Sequence, residues 1–198
     1  MSERVDESEP TKTFGLTAPI DLYRKLLFDI ERLKTSVSTR RVQYAAFDCA
    51  VDANHLVEWT LHAVDEQAHV RLTGVAKDGE GIIKGFGRMN RARLPTLEHC
   101  RQLANSVKHV VVTRGPLMED MTTGATVKFE PSFKAGEMPP PGFRAFAWLY
   151  IKQDEKKRSA IGLFEDMAAE WETFLRQEGL FIEEIPEAFD QDYDDEPD

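Results

Sequence analysis

From residue 22 onward, apolar side chains recur every three or four positions: Leu22, Leu26, Ile30, Leu33 and Val37. That spacing draws one narrow stripe along a helix, and Asp21 stands where a helix cap would. Arg24, Lys25, Glu31 and Arg32 occupy the other side, so this first helix, running to about Ser36, is predicted on the surface of a bundle. A second helix is predicted from Arg41 to Gln67. Its apolar residues, among them Ala45, Phe47, Val51, Leu56, Val57 and Leu61, cover most of the circumference, as in a central helix touched on several sides. Its polar members Asp48, Asp52, His55, Glu58 and His62 share one sector with Tyr44 and Trp59. Residues 70–94 carry Gly74, Gly79, Gly81, Gly85 and Gly87 and read as a long connection. Pro95 and Thr96 then open a third helix that runs to His109 or Val111. Cys100, Leu103, Ala104, Val107 and Val111 form its apolar face, with Glu98, Arg101, Asn105 and His109 opposite.

Beyond residue 110 the period shortens. Val110–Val112 favour extended backbone, Ala125–Glu130 alternates, and Phe146–Gln153 is a second strand candidate. A fourth helix is predicted over 159–177, with Ala160, Phe164, Met167, Ala168, Trp171 and Leu175 as its stripe and Gly179 as its stop. The fold class these elements predict is mainly α: a four-helix bundle with a small antiparallel β-hairpin inserted before the last helix. Residues 1–16 read as a flexible arm, 17–181 as one domain and 182–198 as an acidic disordered tail.

The charge sharpens this division. The net charge of −10 is concentrated at the ends: residues 1–12 hold four acidic and two basic groups, and 183–198 hold nine acidic and none basic. The middle, 13–182, is nearly neutral at 22 acidic against 23 basic. Within it, residues 84–114 gather Lys84, Arg88, Arg91, Arg93, Arg101, Lys108 and Arg114 against the single carboxylate Glu98, which reads either as an ordinary solvated loop and helix face or as a local footprint suited to a polyanion. No apolar run is long enough to cross a membrane, and the polar start has the marks of neither a secretory signal nor a transit peptide, so the expected location is the cytoplasm. Cys49 and Cys100 fall in apolar-periodic segments and are expected to be reduced core residues. Trp59, Trp148 and Trp171 are likewise expected in the core.

The chemistry worth testing lies on two helix faces. On the third helix, spacings of three, four and four align Glu98, Arg101, Asn105 and His109, with Lys108 alongside. A histidine there can shuttle a proton near neutral pH, and an arginine or lysine can stabilise charge on a phosphate. An asparagine can hold a ribose or backbone group. The plain alternative is an ordinary polar face, with Glu98 and Arg101 in a routine helix-surface pair. On the second helix, Asp48, Asp52, His55, Glu58 and His62 suggest a hydrogen-bonded polar seam. The functional alternative is that Asp48 or His55 orients Arg101 or His109 across the bundle. Asp52-x-x-His55 has no matching pair on another helix, so a metal centre is not predicted. There is neither GxGxxG nor GxxxxGK[ST], and no cofactor is predicted.

The central helix YAAFDCAVDANHLVEW, the helix ending LANSVKH and the last helix LFEDMAAEWETFL resemble, over residues 20–178, bacterial members of the HEPN superfamily (higher eukaryotes and prokaryotes nucleotide-binding). The most specific part is Asn105-x-x-Lys108-His109, with His55 near the middle of the second helix. The resemblance implies a homodimer and either a metal-independent RNase of the kind found in defence systems or a nucleotide-binding protein. It implies that His109 moves the proton in 2′-hydroxyl attack on the RNA backbone, that Arg101 or Lys108 stabilises the charge, and that Asn105 positions them. Asp48, His55 and Glu98 would assist in binding. Seven residues separate Arg101 from His109, one more than the nuclease motif has. The alternative is therefore a non-catalytic binding module on the same bundle, with hairpin and tail as partner surfaces.

Overall fold

The computed structural model describes residues 13–108, 121–132, 142–153 and 155–183. The N-terminal arm up to residue 12, the acidic tail from residue 184 and the hairpin tip at 133–141 lie outside the described residues, as does His109.

The first predicted helix is α1, Pro19–Thr35. Asp21 sits inside its first turn and reaches back, its carboxylate accepting from the backbone N–H of Thr17 and Ala18, both at 2.9 Å. Those donors have no partner within the helix, so the side chain satisfies what the backbone cannot. The stripe Leu22, Leu26, Ile30 and Leu33 is buried, while Val37 is exposed just past the helix end. It packs on α2, Thr39–Ala63, which Ser38 caps. The buried side of α2 is rich in small residues (Ala45, Cys49, Ala50, Ala53), which lets neighbours approach its backbone. Trp171 uses that access and donates its indole N–H to the Ala53 carbonyl at 3.1 Å.

The predicted second helix is cut short. It ends at Ala63, and Asp65 caps a new helix, α3, Glu66–Thr73, by accepting from Ala68 N–H at 2.8 Å. The predicted glycine-rich connection is also corrected, because it contains α4, Ile82–Met89. Its glycines serve packing. A Cβ on Gly85 would lie 2.2 Å from the Thr73 carbonyl oxygen, so only glycine lets α4 touch the end of α3. Asn90 is buried and donates to the carbonyls of Leu72 and Phe86, both at 2.9 Å, tying the two short helices together. Phe86 is fully buried beside Trp171 and Phe174.

The third and fourth predicted helices are α5, Leu97–Lys108, and α6, Ala160–Gln177. Thr96 fastens the start of α5 to α6, its N–H and hydroxyl donating to Glu170 at 3.0 and 2.6 Å. Every residue of the predicted α6 stripe is buried. At the end of α6, Glu178 is gripped by Arg71 of α3 and by Arg93, at 2.6 and 2.8 Å. Cys49 and Cys100 are free thiols, both fully buried as expected.

The predicted hairpin gains a strand. β1 (Thr122–Ser132), β2 (Gly142–Gln153) and β3 (Lys156–Ser159) form an antiparallel sheet in that order. β3 returns beside β2 through a turn at Glu155, whose φ is 64°, and then runs straight into α6. Leu149 and Ile151 face the helices. Trp148, Tyr150 and Lys152 alternate with them and therefore face outward. The molecule is mainly helical with a small three-stranded antiparallel sheet; among the described residues it has six helices where four were predicted.

Candidate functional site

Of the groups aligned on the polar side of α5, Glu98 and Arg101 are engaged with each other. Arg101 closes on Glu98 one turn earlier, donating from Nε at 2.9 Å and from Nη2 at 2.6 Å. Gln102 donates to the same carboxylate at 2.8 Å. Partial burial pushes the Glu98 carboxyl up, yet the bonds from Arg101 and Gln102 outweigh it and hold the group below the ordinary carboxylate range. The Arg101 fork is thus spent on a neighbour in its own helix. Asn105 is half-buried further along α5. Lys108 ends the helix; its side chain and His109 lie outside the described residues.

The polar sector of α2 does not form the expected seam. His55, Glu58 and His62 are exposed. Asp48 turns to α1, where Arg32 donates to it at 3.3 Å. The expectation that Asp48 orients Arg101 is therefore corrected, since Asp48 pairs with Arg32 of α1 and Arg101 with Glu98 of its own helix. Only Asp52 is buried, and it joins a cluster that includes a residue absent from the sequence-level candidates, Asp29. Lys25 reaches Asp29 at 2.8 Å and both oxygens of Asp52 at 3.0 and 2.8 Å. Arg32 closes on the other oxygen of Asp29. Burial pushes both carboxyls up. At Asp29, bonds from Lys25, Asp52 and Arg32 reverse this and the net shift is downward. At Asp52, burial and the neighbouring Asp29 charge prevail over Lys25, and its pKa is raised to about 7. The clue was an aspartate inside the apolar stripe of the first helix.

A second arrangement lies on the outer face of the sheet. Trp148, expected in the core, and Tyr150, overlooked, stand two residues apart on β2 with their rings stacked at 5.2 Å. Lys128 lies over the Trp148 ring at 3.6 Å, and Lys157 over the Tyr150 ring at 4.3 Å. The strand register explains the order. Lys128 is opposite residue 146, two positions before Trp148, and Lys157 is opposite Lys152, two positions after Tyr150. The lysines therefore bracket the aromatic pair. Gly124 faces Tyr150 across the strands, and a Cβ there would lie 2.5 Å from the ring, so the glycine is what allows the ring to rest on β1. Trp148 is half-exposed, which corrects its expected place in the core. Reading the alternation of WLYIK by face would have separated Trp148 and Tyr150 from Leu149 and Ile151.

Under the sheet, an apolar cleft of about 340 Å³ runs between Phe47, Leu103, Leu149, Ile151 and Phe164. No charged side chain lines it, so it offers shape without reactive chemistry. Among the described residues no group of histidine, cysteine and carboxylate side chains is placed to hold a metal, and no helix is long and apolar enough to cross a membrane. Comparisons with protein-family models, with curated proteins and with solved structures give no match, so the functional reading rests on the chain's own residues.

Proposed function

We propose that this protein is a nucleic-acid-binding module on a HEPN-like helical bundle, with RNA as its ligand, and that it binds without cutting. The observation that carries this reading is the distribution of cations without carboxylate partners. The basic groups around the core are tied down: Lys25, Arg32, Arg71, Arg93 and Arg101 each pair with a carboxylate. Among the described residues Lys84 and Arg88, one turn apart on the exposed face of α4, and Arg91 just beyond it make no ion pair; nor do Lys128, Lys156 and Lys157 on the sheet. Cations held in solvent without a carboxylate partner attract phosphates, and the release of counterions makes such binding depend on salt. The closure of Arg101 on Glu98 favours binding over cleavage, because a guanidinium so occupied has no fork to offer a phosphate in the transition state.

A homodimer belongs to the same proposal. Phe28 and Tyr44, 64% and 60% exposed, stand one turn from Arg32 and Asp48 respectively and so flank that ion pair. Large aromatics left in solvent are common anchors of an interface.

The test is a titration of the full chain with a fluorescent RNA oligonucleotide over a range of salt, without metal. Binding should weaken steeply with salt, and the triple change Lys84→Gln, Arg88→Gln, Arg91→Gln should reduce the slope by about 2 on a single strand. Absence of salt-dependent binding overturns the reading. Cleavage by the wild type but not by His109→Ala, leaving 2′,3′-cyclic phosphate ends, overturns its non-catalytic half and establishes the nuclease.

A further inference from the structure

We propose that the outer face of the sheet is a stacking platform for the bases of single-stranded nucleic acid. The inference rests on the nucleic-acid reading above and names the surface and the form of the strand.

The face has the three properties such a platform needs. No described element covers it: helices α2 and α6 contact β2 from the side of Leu149 and Ile151, not over Trp148 and Tyr150. It is set in place before any ligand arrives. The two rings support each other at 5.2 Å, and Gly124 leaves the room in which Tyr150 rests on the neighbouring strand. Among the described side chains its charge is of one sign apart from an edge. Lys128, Lys152 and Lys157 share the face, and the carboxylate beside them is Glu155 at the turn, paired with Lys152 at 2.9 Å.

The lysine positions also suggest how a strand would enter. An ammonium group over a ring face is held by the quadrupole of the ring, a weak attraction at an exposed site. A base offers the same face a larger flat surface. As a base stacks on Trp148 or Tyr150, the lysine can swing a short way on its flexible stem and meet the phosphate that arrives with that base. The exchange preserves charge neutralisation and adds stacking. A duplex keeps its bases stacked on one another and has no free face to offer, so the platform selects single strands. It is indifferent to sequence to the extent that every base has a π-face.

The experiment compares full-length wild type with Trp148→Ala, Tyr150→Ala and the double variant. Four labelled ligands are used: single-stranded RNA, single-stranded DNA of the same sequence, an abasic strand of equal length and charge, and duplex RNA. Both aromatic side chains are half-exposed, so the variants should fold, and an unchanged far-UV spectrum checks this. Wild type should bind the RNA strand at least tenfold more tightly than the abasic strand. Each aromatic change should cost the RNA strand about tenfold and leave the abasic strand unaffected. Trp148→Phe should restore most of the loss. A DNA strand bound as tightly as RNA would support recognition by stacking alone. Equal affinity of wild type and the double variant for single-stranded RNA overturns the platform while leaving nucleic-acid binding intact. Preference for the duplex overturns it as well. Failure to bind any of the four ligands overturns the nucleic-acid reading itself.

Discussion

Between α1 and α2, Lys25 is shared by two carboxylates and Arg32 by two more contacts, so that almost no positive charge is left for a ligand. On the outer face of the sheet, Lys128 and Lys157 lie over aromatic rings instead, where the attraction is weak and reversible. The same residue type is thus a fastener in one region and a reserve in the other. What distinguishes the two is burial. Asp29 and Asp52 sit among packed helices, and an unpaired buried carboxylate would be costly, so the cations are bound to stay. The sheet presents its lysines to water, where letting go costs little.

This comparison can be broken most forcefully from the body. Phe86→Ala removes a fully buried ring between Trp171 and Phe174, and should destabilise the fold by about 3–5 kcal/mol in urea denaturation. A loss below 1 kcal/mol would mean that α4 is not part of the core. Next in size is Glu178→Ala, which releases Arg71 and Arg93 from their common carboxylate and should cost about 2 kcal/mol. If stability does not change, that clasp is only a surface contact.

A smaller effect concerns pH. The Asp52 carboxyl is raised in the fold above its ordinary value, so the folded state holds that proton more firmly than the unfolded chain does. Its contribution is complete below about 4, the ordinary carboxylate range, and is lost as pH rises toward about 7. Asp29 is lowered, so it acts in the opposite sense and its contribution is lost as acid protonates it. Asp52→Asn should therefore flatten the decline in stability between those two pH values and leave the acid limb in place. A decline unchanged in the variant would show that Asp52 titrates normally. The smallest effect on stability is expected for Gly124→Ala, within about 1 kcal/mol, although it must push the Tyr150 ring aside. Near-UV circular dichroism should change through the Trp148–Tyr150 pair; an unaltered spectrum would mean that the ring does not depend on the glycine.

Where a stripe of side chains turns to the core along a whole helix, the sequence pattern was enough, as at Leu22–Leu33 and Ala160–Leu175. It misled where local chemistry interrupts a continuing stripe. Val64 extends the apolar run of the second helix, but Asp65 captures a backbone N–H and starts α3. Glycines between 70 and 94 read as slack because spacing along the chain does not reveal that Gly85 is pressed against Thr73. β3, with its sequence KKRS, has no apolar alternation to announce it and exists through pairing with β2. On α5 the Glu98–Arg101 contact was legible as a routine pair. The partners of Asp48 and Asp52 were not, because they come from α1, and helical period gives no register between helices.

Cys49 on α2 and Cys100 on α5 are the chain's two cysteines, and neither reaches the surface. Burial also drives both thiols well above their usual range, leaving almost no thiolate in the closed state. A thiol-reactive dye in the surrounding solution therefore waits for α2 and α5 to part, and its rate of uptake becomes a stopwatch for the opening of the core. A cysteine placed at Lys156 on the sheet would react at once. One reagent would then time two clocks in a single molecule, one running with the surface and one with the interior.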